Sequence, residues 1–213
     1  MSDPVSRETS GLSLEAFSAL VDYEELLATE GTKRGLIGPR EAEKLWPRHL
    51  LNCAVVAMDD RGLVPKGASV VDVGSGAGLP GLVWALVRPD IHVTVVDSLL
   101  RRADFLKEAV AVLGVGSRVE VVRGRAEALS GDLAADVATA RAVAPLPKLL
   151  TWLAPLVKPG GTVLAFKGES VTREVAESTT VLARLGLGQA QILRCGSGVV
   201  DPPTVVVRYQ RSS

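Results

Sequence analysis

The sequence predicts a doubly wound α/β fold: a mostly parallel seven-stranded sheet that ends in an antiparallel hairpin and follows an N-terminal helical cap. Three observations predict it. From Ser69 onward, short and almost wholly apolar runs alternate with helical stretches, as in a parallel sheet covered on both faces. One of these runs passes into "VVDVGSGAGLPG", Val70 to Gly81, a strand-to-helix turn crowded with glycines whose backbone N–H groups can face a ligand. The last two runs are joined by "CGSGVVDPP", a Gly/Pro-rich loop that fits a hairpin at the sheet edge.

Each element follows in order. Residues 1 to 11 are polar and rich in Ser and Glu, and read as a disordered arm. Ser13 caps a helix in which Leu14, Phe17, Leu20, Val21 and Leu27 recur at helical spacing, ending near Gly31. A second helix from about Glu41 to Asp60 turns Leu50, Leu51, Ala54, Val55 and Met58 inward, with a break at Pro47. Residues 12 to 65 thus form the cap and 66 to 213 the α/β domain. Strands are expected at Val70–Val73, His92–Val96, Val119–Val122, Asp136–Ala140, Thr162–Phe166, Ala190–Arg194 and Thr204–Tyr209. Helices are expected at Pro80–Val87, Leu99–Leu113, near Ala126, at Leu146–Val157 and at Arg173–Leu185.

The chain has 213 residues, 47% of them hydrophobic, enough for a core of its own. Twenty-four basic residues balance twenty-four acidic ones, so its overall charge does not mark a polyanion binder. The distribution is uneven: residues 1 to 30 are acidic, whereas Lys33, Arg34, Arg40, Lys44 and Arg48 make the next segment basic. Cys53 and Cys195 stand far apart, in neither a disulfide framework nor metal-ligand spacing, and read as plain thiols. No basic leader and no run of about 18 apolar residues occurs. The expectation is a cytoplasmic monomer without metal or membrane contact.

The glycines leave two cofactor classes open. Gly74, Gly76 and Gly78 are spaced two apart, and Leu79 stands where the dinucleotide fingerprint has its third glycine. Asp72, two residues before the first glycine, would repel a diphosphate and suit a ligand carrying a cation, as S-adenosylmethionine does. It could also cap the following turn. Asp97 ends the second strand, where either cofactor offers ribose hydroxyls. Ala126 and Glu127 follow the third strand and would lie beside the adenine, although Glu127 serves equally as a first-turn acid. "LVKPGGTVLAFKG" adds a Pro-Gly-Gly turn common before a methyltransferase strand. Together these residues favour S-adenosylmethionine.

Six blocks then carry a family resemblance: "LWPRHLLN", "VVDVGSGAGLPG", "VVDSLLRRADFLKE", "GRAE", "ARAVAPLPKLL" and "LVKPGGTVLAFKG", in that order between Lys33 and Tyr209. The chain resembles the RsmG (GidB) family of bacterial methyltransferases, which act on N7 of a guanosine in the 530 loop of 16S ribosomal RNA. The resemblance implies a Rossmann-like S-adenosylmethionine-dependent methyltransferase fold and a 16S RNA or small-subunit partner. It implies cofactor contacts at Gly74, Leu79, Ala126, Glu127 and Arg141, with Asp97 at the ribose. The chain departs from the family where Gly35, Leu36 and Ile37 replace Asn-Leu-Thr, and where Asn52 and Cys53 replace Asp-Ser. Those departures argue against polar roles at these positions.

Guanine N7 keeps its lone pair in the neutral base, so no general base is required. The sequence agrees: the fourth strand ends in "TARAVAP" rather than in an Asp-Pro-Pro-aromatic tetrad. Asp201, Pro202 and Pro203 fall in the hairpin loop and read as a turn. Catalysis would rest on proximity. Arg141, at the carboxyl edge, is the expected catalytic residue, against a plain surface arginine paired to an acid. RNA phosphates would meet Lys33, Arg34, Arg48, His49, Arg101, Arg102 and Lys167. Trp46, Trp84 and Trp152 sit at apolar helix positions and read as core. Three rivals stay open: an NAD-dependent oxidoreductase, a methyltransferase on a small molecule or protein, and a non-catalytic cofactor-binding module.

Overall fold

A computed structural model describes residues 7–131 and 133–212. The arm expected over residues 1–11 lies outside the described residues as far as residue 6. Beyond it, Arg7–Ser10 forms one helical turn, α1, with Ser10 buried, so this part is not open chain. The cap then runs through α2 (Leu14–Leu26), where Ser13 Oγ accepts from Ala16 N as a helix cap should. The chain continues in a wider turn, Leu27–Gly31, then α3 (Pro39–Ala42), a second wide turn, Trp46–Leu50, and α4 (Leu51–Ala57). Pro47 lies in the first turn of its segment, where a missing N–H breaks no bond. It starts a helical segment, so the break expected at Pro47 is present, and the helix expected from Glu41 to Asp60 consists of α3, Trp46–Leu50 and α4.

The sheet is built from β1 (Ser69–Val73), β2 (His92–Asp97), β3 (Val119–Arg123), β4 (Ala135–Arg141), β5 (Val157–Lys167), β6 (Gln191–Cys195) and β7 (Thr204–Gln210). Its order is β3-β2-β1-β4-β5-β7-β6, parallel through β5, with β7 antiparallel to both neighbours. Helices α5 (Gly81–Val87), α6 (Leu100–Val112), α7 (Leu146–Leu153) and α8 (Val171–Leu185) connect the strands, with a short 3-10 turn at Ala126–Leu129. The Pro-Gly-Gly turn does not precede β5. It lies inside it, at a register shift beside Ala135 and Val137. Gly161 is required there, since a Cβ would sit 2.8 Å from the Asp136 carbonyl.

Strand alternation divides the molecule. Val70, Val95 and Val137 face one apolar cluster, which holds the cap, α5 and α6. Val71, Val73, Val96 and Ala138 face the other, which holds α7. Trp84, Phe105, Tyr23, Leu20 and Leu50 in the first cluster are fully buried, so the cap shares its core with the sheet.

Candidate functional site

Strand order reverses between β1 and β4, each of which leaves the sheet centre in an opposite direction, and open α/β sheets bind ligands at that point. A cleft of about 330 Å³ opens there, within the range of nucleoside-sized pockets. Val73, Gly74, Val96, Asp97, Ala126 and Glu127 line it. Four of the expected cofactor residues therefore meet in one wall: Gly74, Asp97, Ala126 and Glu127. A larger groove, about 430 Å³, lies at the opposite strand ends between Lys66, Lys158 and Gly160, far from the switch point.

The glycines shape the wall by backbone conformation. Gly74, Gly76 and Gly78 all have positive φ. A side chain on Gly74 would meet Val143 Cγ2 at 2.8 Å, and one on Gly78 would meet Leu82 Cδ1 at 2.5 Å. Gly76 and Gly78 do not line the cleft but form the turn behind it, and Leu79 packs into the cap-side core. Asp97 is 3% exposed and is held from three sides. Its Oδ2 accepts from Gly76 N at 3.0 Å and Arg102 Nη1 at 3.3 Å, and Oδ1 accepts from Leu99 N at 3.0 Å. A carboxylate is thus fixed at the end of β2, among the residues that line the cleft.

Asp72 is placed elsewhere. Strand alternation sends Val73 to the cleft side and Asp72 to the cap side, where it is fully buried. Its Oδ2 accepts from Gly81 N at 2.9 Å, at the start of α5, while Oδ1 finds no partner. Burial pushes this carboxyl up to about 7, against the pull of the Gly81 N–H. The capping role is thus the one realised, and the expected direct charge on the ligand is not. Tyr23 of α2 donates to the Ala77 carbonyl and so clamps the glycine turn to the cap. Burial, with Cys53 and Asp72 nearby, holds the Tyr23 phenol well above its ordinary range.

Arg141 shares that face. Its Nη2 reaches His49 Nδ1 at 2.6 Å and the Arg48 carbonyl at 3.0 Å, and its Nη1 reaches Cys53 Sγ at 3.3 Å. A guanidinium has donors alone, so His49 Nδ1 accepts, and Nε2–H donates to Glu41 Oε2 at 3.0 Å. Burial and the Arg141 charge hold the His49 imidazole below its ordinary value, opposed by Glu41. Arg141 turns Nη1 and Nη2 to the cap, keeps its Nε–H without a partner in the described contacts, and is not among the residues that line the cleft, where a cofactor contact was expected of it. Two of the five positions judged unsuited to polar roles make polar contacts after all: Asn52 Oδ1 accepts from Thr204 Oγ1 at 2.9 Å, and Cys53 Sγ accepts from Arg141 Nη1.

The expected RNA contacts separate in the same way. Lys167 is 8% exposed at its side chain and donates to the Ala144 carbonyl and to Glu174, so it is a structural cation. Arg34 binds Glu30 and Glu108 and lies over the Phe105 ring. Arg102 turns inward to Asp97 and borders the cleft. His49 is enclosed as described. Lys33, Arg48 and Arg101 remain exposed, the first paired with Glu30 and the second with Glu41. Sequence reasoning missed Val143, Arg125, Lys148 and Trp152 in the cleft wall. Arg125 stood in the quoted "GRAE" block, and a cation and an aromatic ring spaced i, i+4 on one helix was the signal for Lys148 and Trp152.

Among the described residues no group of three or more His, Cys, Asp or Glu could hold a metal ion, and no helix is long and apolar enough to cross a membrane. Comparison with known proteins bears on the family and the fold. The family profile for rRNA small subunit methyltransferase G (GidB) matches residues 16–200. A protein from Salinispora arenicola named ribosomal RNA small subunit methyltransferase G is 56% identical, across 90% of this chain and 80% of its own length. One of the same name from Streptomyces coelicolor is 50% identical, across 97% of this chain and 85% of its own. Among solved structures, the S-adenosylmethionine-dependent methyltransferase SibL superposes with a TM-score of 0.64 at 18% identity, over 99% of this chain and 72% of its own. A putative rRNA-methylase from Clostridium thermocellum gives 0.54 at 17% identity, over 75% and 96%. At such identities the structural likeness speaks for the fold alone.

Proposed function

This chain belongs to the rRNA small subunit methyltransferase G family, and from that premise we propose that its S-adenosylmethionine-dependent methylation of 16S ribosomal RNA falls on N7 of a guanosine in the 530 loop. The observation that supports N7 is the segment from the last residue of β4 onward, Arg141 to Pro145, which contains no carboxylate to take a proton from an acceptor amine. N7 needs none, because its lone pair is free in the neutral base.

The cleft fits the donor: a volume for a nucleoside, a fixed carboxylate at the ribose position and glycines that keep side chains away. Asp97 would accept the ribose hydroxyls, Gly74 would let the backbone approach the amino-acid part, and Ala126 and Glu127 would border the adenine. S-adenosylmethionine supplies a methyl group made electrophilic by its sulfonium. The protein's part is to exclude water and align the acceptor, the proximity contribution. Arg141 acts here as a positioning residue, pinning residues 48–53 of the cap over the end of β4. Exposed Lys33, Arg48 and Arg101 would meet RNA phosphates, so activity should weaken with salt.

The test is to incubate the protein with labelled donor and small subunits lacking the modification, then cleave the RNA at N7-methylguanosine by reduction and aniline. Cleavage within the 530 loop is the expected outcome. Label on an exocyclic amine, on a ribose hydroxyl or on protein would refute it.

A further inference from the structure

We propose that Trp152 is the aromatic wall of the donor cleft, against which the adenine ring of the methyl donor packs, with Lys148 holding the indole in place; this rests on the donor reading above. Trp152 was expected in the core and is instead half-buried, with its side chain bordering the cleft. It shares that cleft with Asp97, Ala126 and Glu127, the residues that bracket a nucleoside between the ends of β2 and β3. The Lys148 ammonium, one turn earlier on α7, lies 5.2 Å from the centre of the Trp152 ring. A cation at that distance is attracted to the ring and restricts its rotamers.

The other two indoles have settled partners. Trp84 is fully buried and donates to the Cys53 carbonyl at 2.9 Å. Trp46 stacks on Phe17 with centroids 5.0 Å apart and donates to Glu24. The indole N–H of Trp152 has no such partner among the described contacts, and its ring is the one open to a ligand. None of the other lining residues is aromatic: Val73, Val96 and Val143 are aliphatic, and Asp97, Arg102 and Arg125 are charged. A purine ring in this cleft therefore has one flat aromatic surface to meet, and nucleobases gain from such a surface whatever their sequence context.

The assignment makes the cleft its own reporter. Titrating the protein with S-adenosylhomocysteine should change its tryptophan fluorescence, and adenosine alone should reproduce the change where methionine does not. Trp46→Phe should keep that response. Trp152→Phe should lose it while calorimetry still detects binding. Trp152→Leu should raise the dissociation constant about tenfold, the size expected for loss of one base–aromatic contact. Lys148→Met should alter the emission of the ligand-free protein as the cation leaves the ring. If the wild-type protein binds S-adenosylhomocysteine and Trp152→Leu binds it equally well, or if the response survives in Trp152→Phe, the assignment is overturned while the donor reading stands. If the wild-type protein binds no S-adenosylhomocysteine, both fall together.

Discussion

Asp72 keeps a carboxylate out of water with one oxygen bonded to Gly81 N and the other bonded to nothing. Its carboxyl is raised from 3.8 to about 7, so the folded state prefers the neutral acid. The stability that this preference brings is fully present below the unfolded value and is lost as pH rises through the folded one. Asp72→Asn removes the titration while keeping an acceptor for Gly81 N–H. Relative to wild type it should gain on the order of 3 kcal/mol between pH 4 and pH 8, read by urea denaturation at each pH. A flat difference across that range would mean that the carboxyl titrates normally. The acid before the glycines was visible in the sequence. Its role was not, because a one-residue step along a strand reverses the face that a side chain meets, and the sequence does not say which face carries the cleft.

Elements meet through a few polar side chains. Glu174 of α8 accepts from Leu146 N at the start of α7, from Lys167 of β5 and from Ser170. Burial alone would raise its carboxyl, but the three donors prevail and hold it at about 2. Its contribution is therefore present above its ordinary value of 4.5 and lost as pH falls toward 2. Glu174→Ala should strand the Lys167 charge and cost about 3 kcal/mol at neutral pH, measured by chemical denaturation, whereas Lys167→Glu should be worse. Between the cap and β4 the joint is His49 with Arg141. Protonating His49 Nδ1 places a donor against a donor, so this joint holds above the ordinary histidine value and opens as pH falls through the lowered one. Wild-type methyl transfer should decline as pH falls below the ordinary histidine range, and His49→Gln, which keeps an uncharged acceptor, should flatten that decline. These elements were largely legible: the seven strands begin within about two residues of expectation except β5, whose bulge hides five further residues. Their joints were not, since Lys167 and Arg141 read as free cations until their partners, distant in sequence, were in view.

The whole molecule behaves as one unit on its cap side. Leu20, Tyr23 and Leu27 are fully buried in the cluster that also contains Val70, Trp84, Phe105 and Phe166. Deleting residues 1–30 should therefore uncover the core of the sheet, and the remainder should lose its cooperative transition in thermal denaturation. The intact chain should unfold in a single step. A truncated chain that melts sharply near the wild-type temperature would show that the α/β domain stands alone. Tyr23 gives the link a functional side, because its hydroxyl holds the Ala77 carbonyl of the glycine turn. Tyr23→Phe leaves that buried carbonyl unpaired, at a cost of about 1–2 kcal/mol in the same melt.

By itself the sequence determined the architecture, the glycine turn and the acid at the end of β2. Periodicity of apolar residues and the conformational freedom of glycine are local properties, written into neighbouring residues. Tertiary structure alone decided which charges are free and which face of the sheet each one meets. Lys167 and Arg34 became internal partners, Asp72 became a helix cap and Trp152 came out to the cleft. Pairing and burial depend on groups brought together from far along the chain, and the local pattern carries no record of that distance.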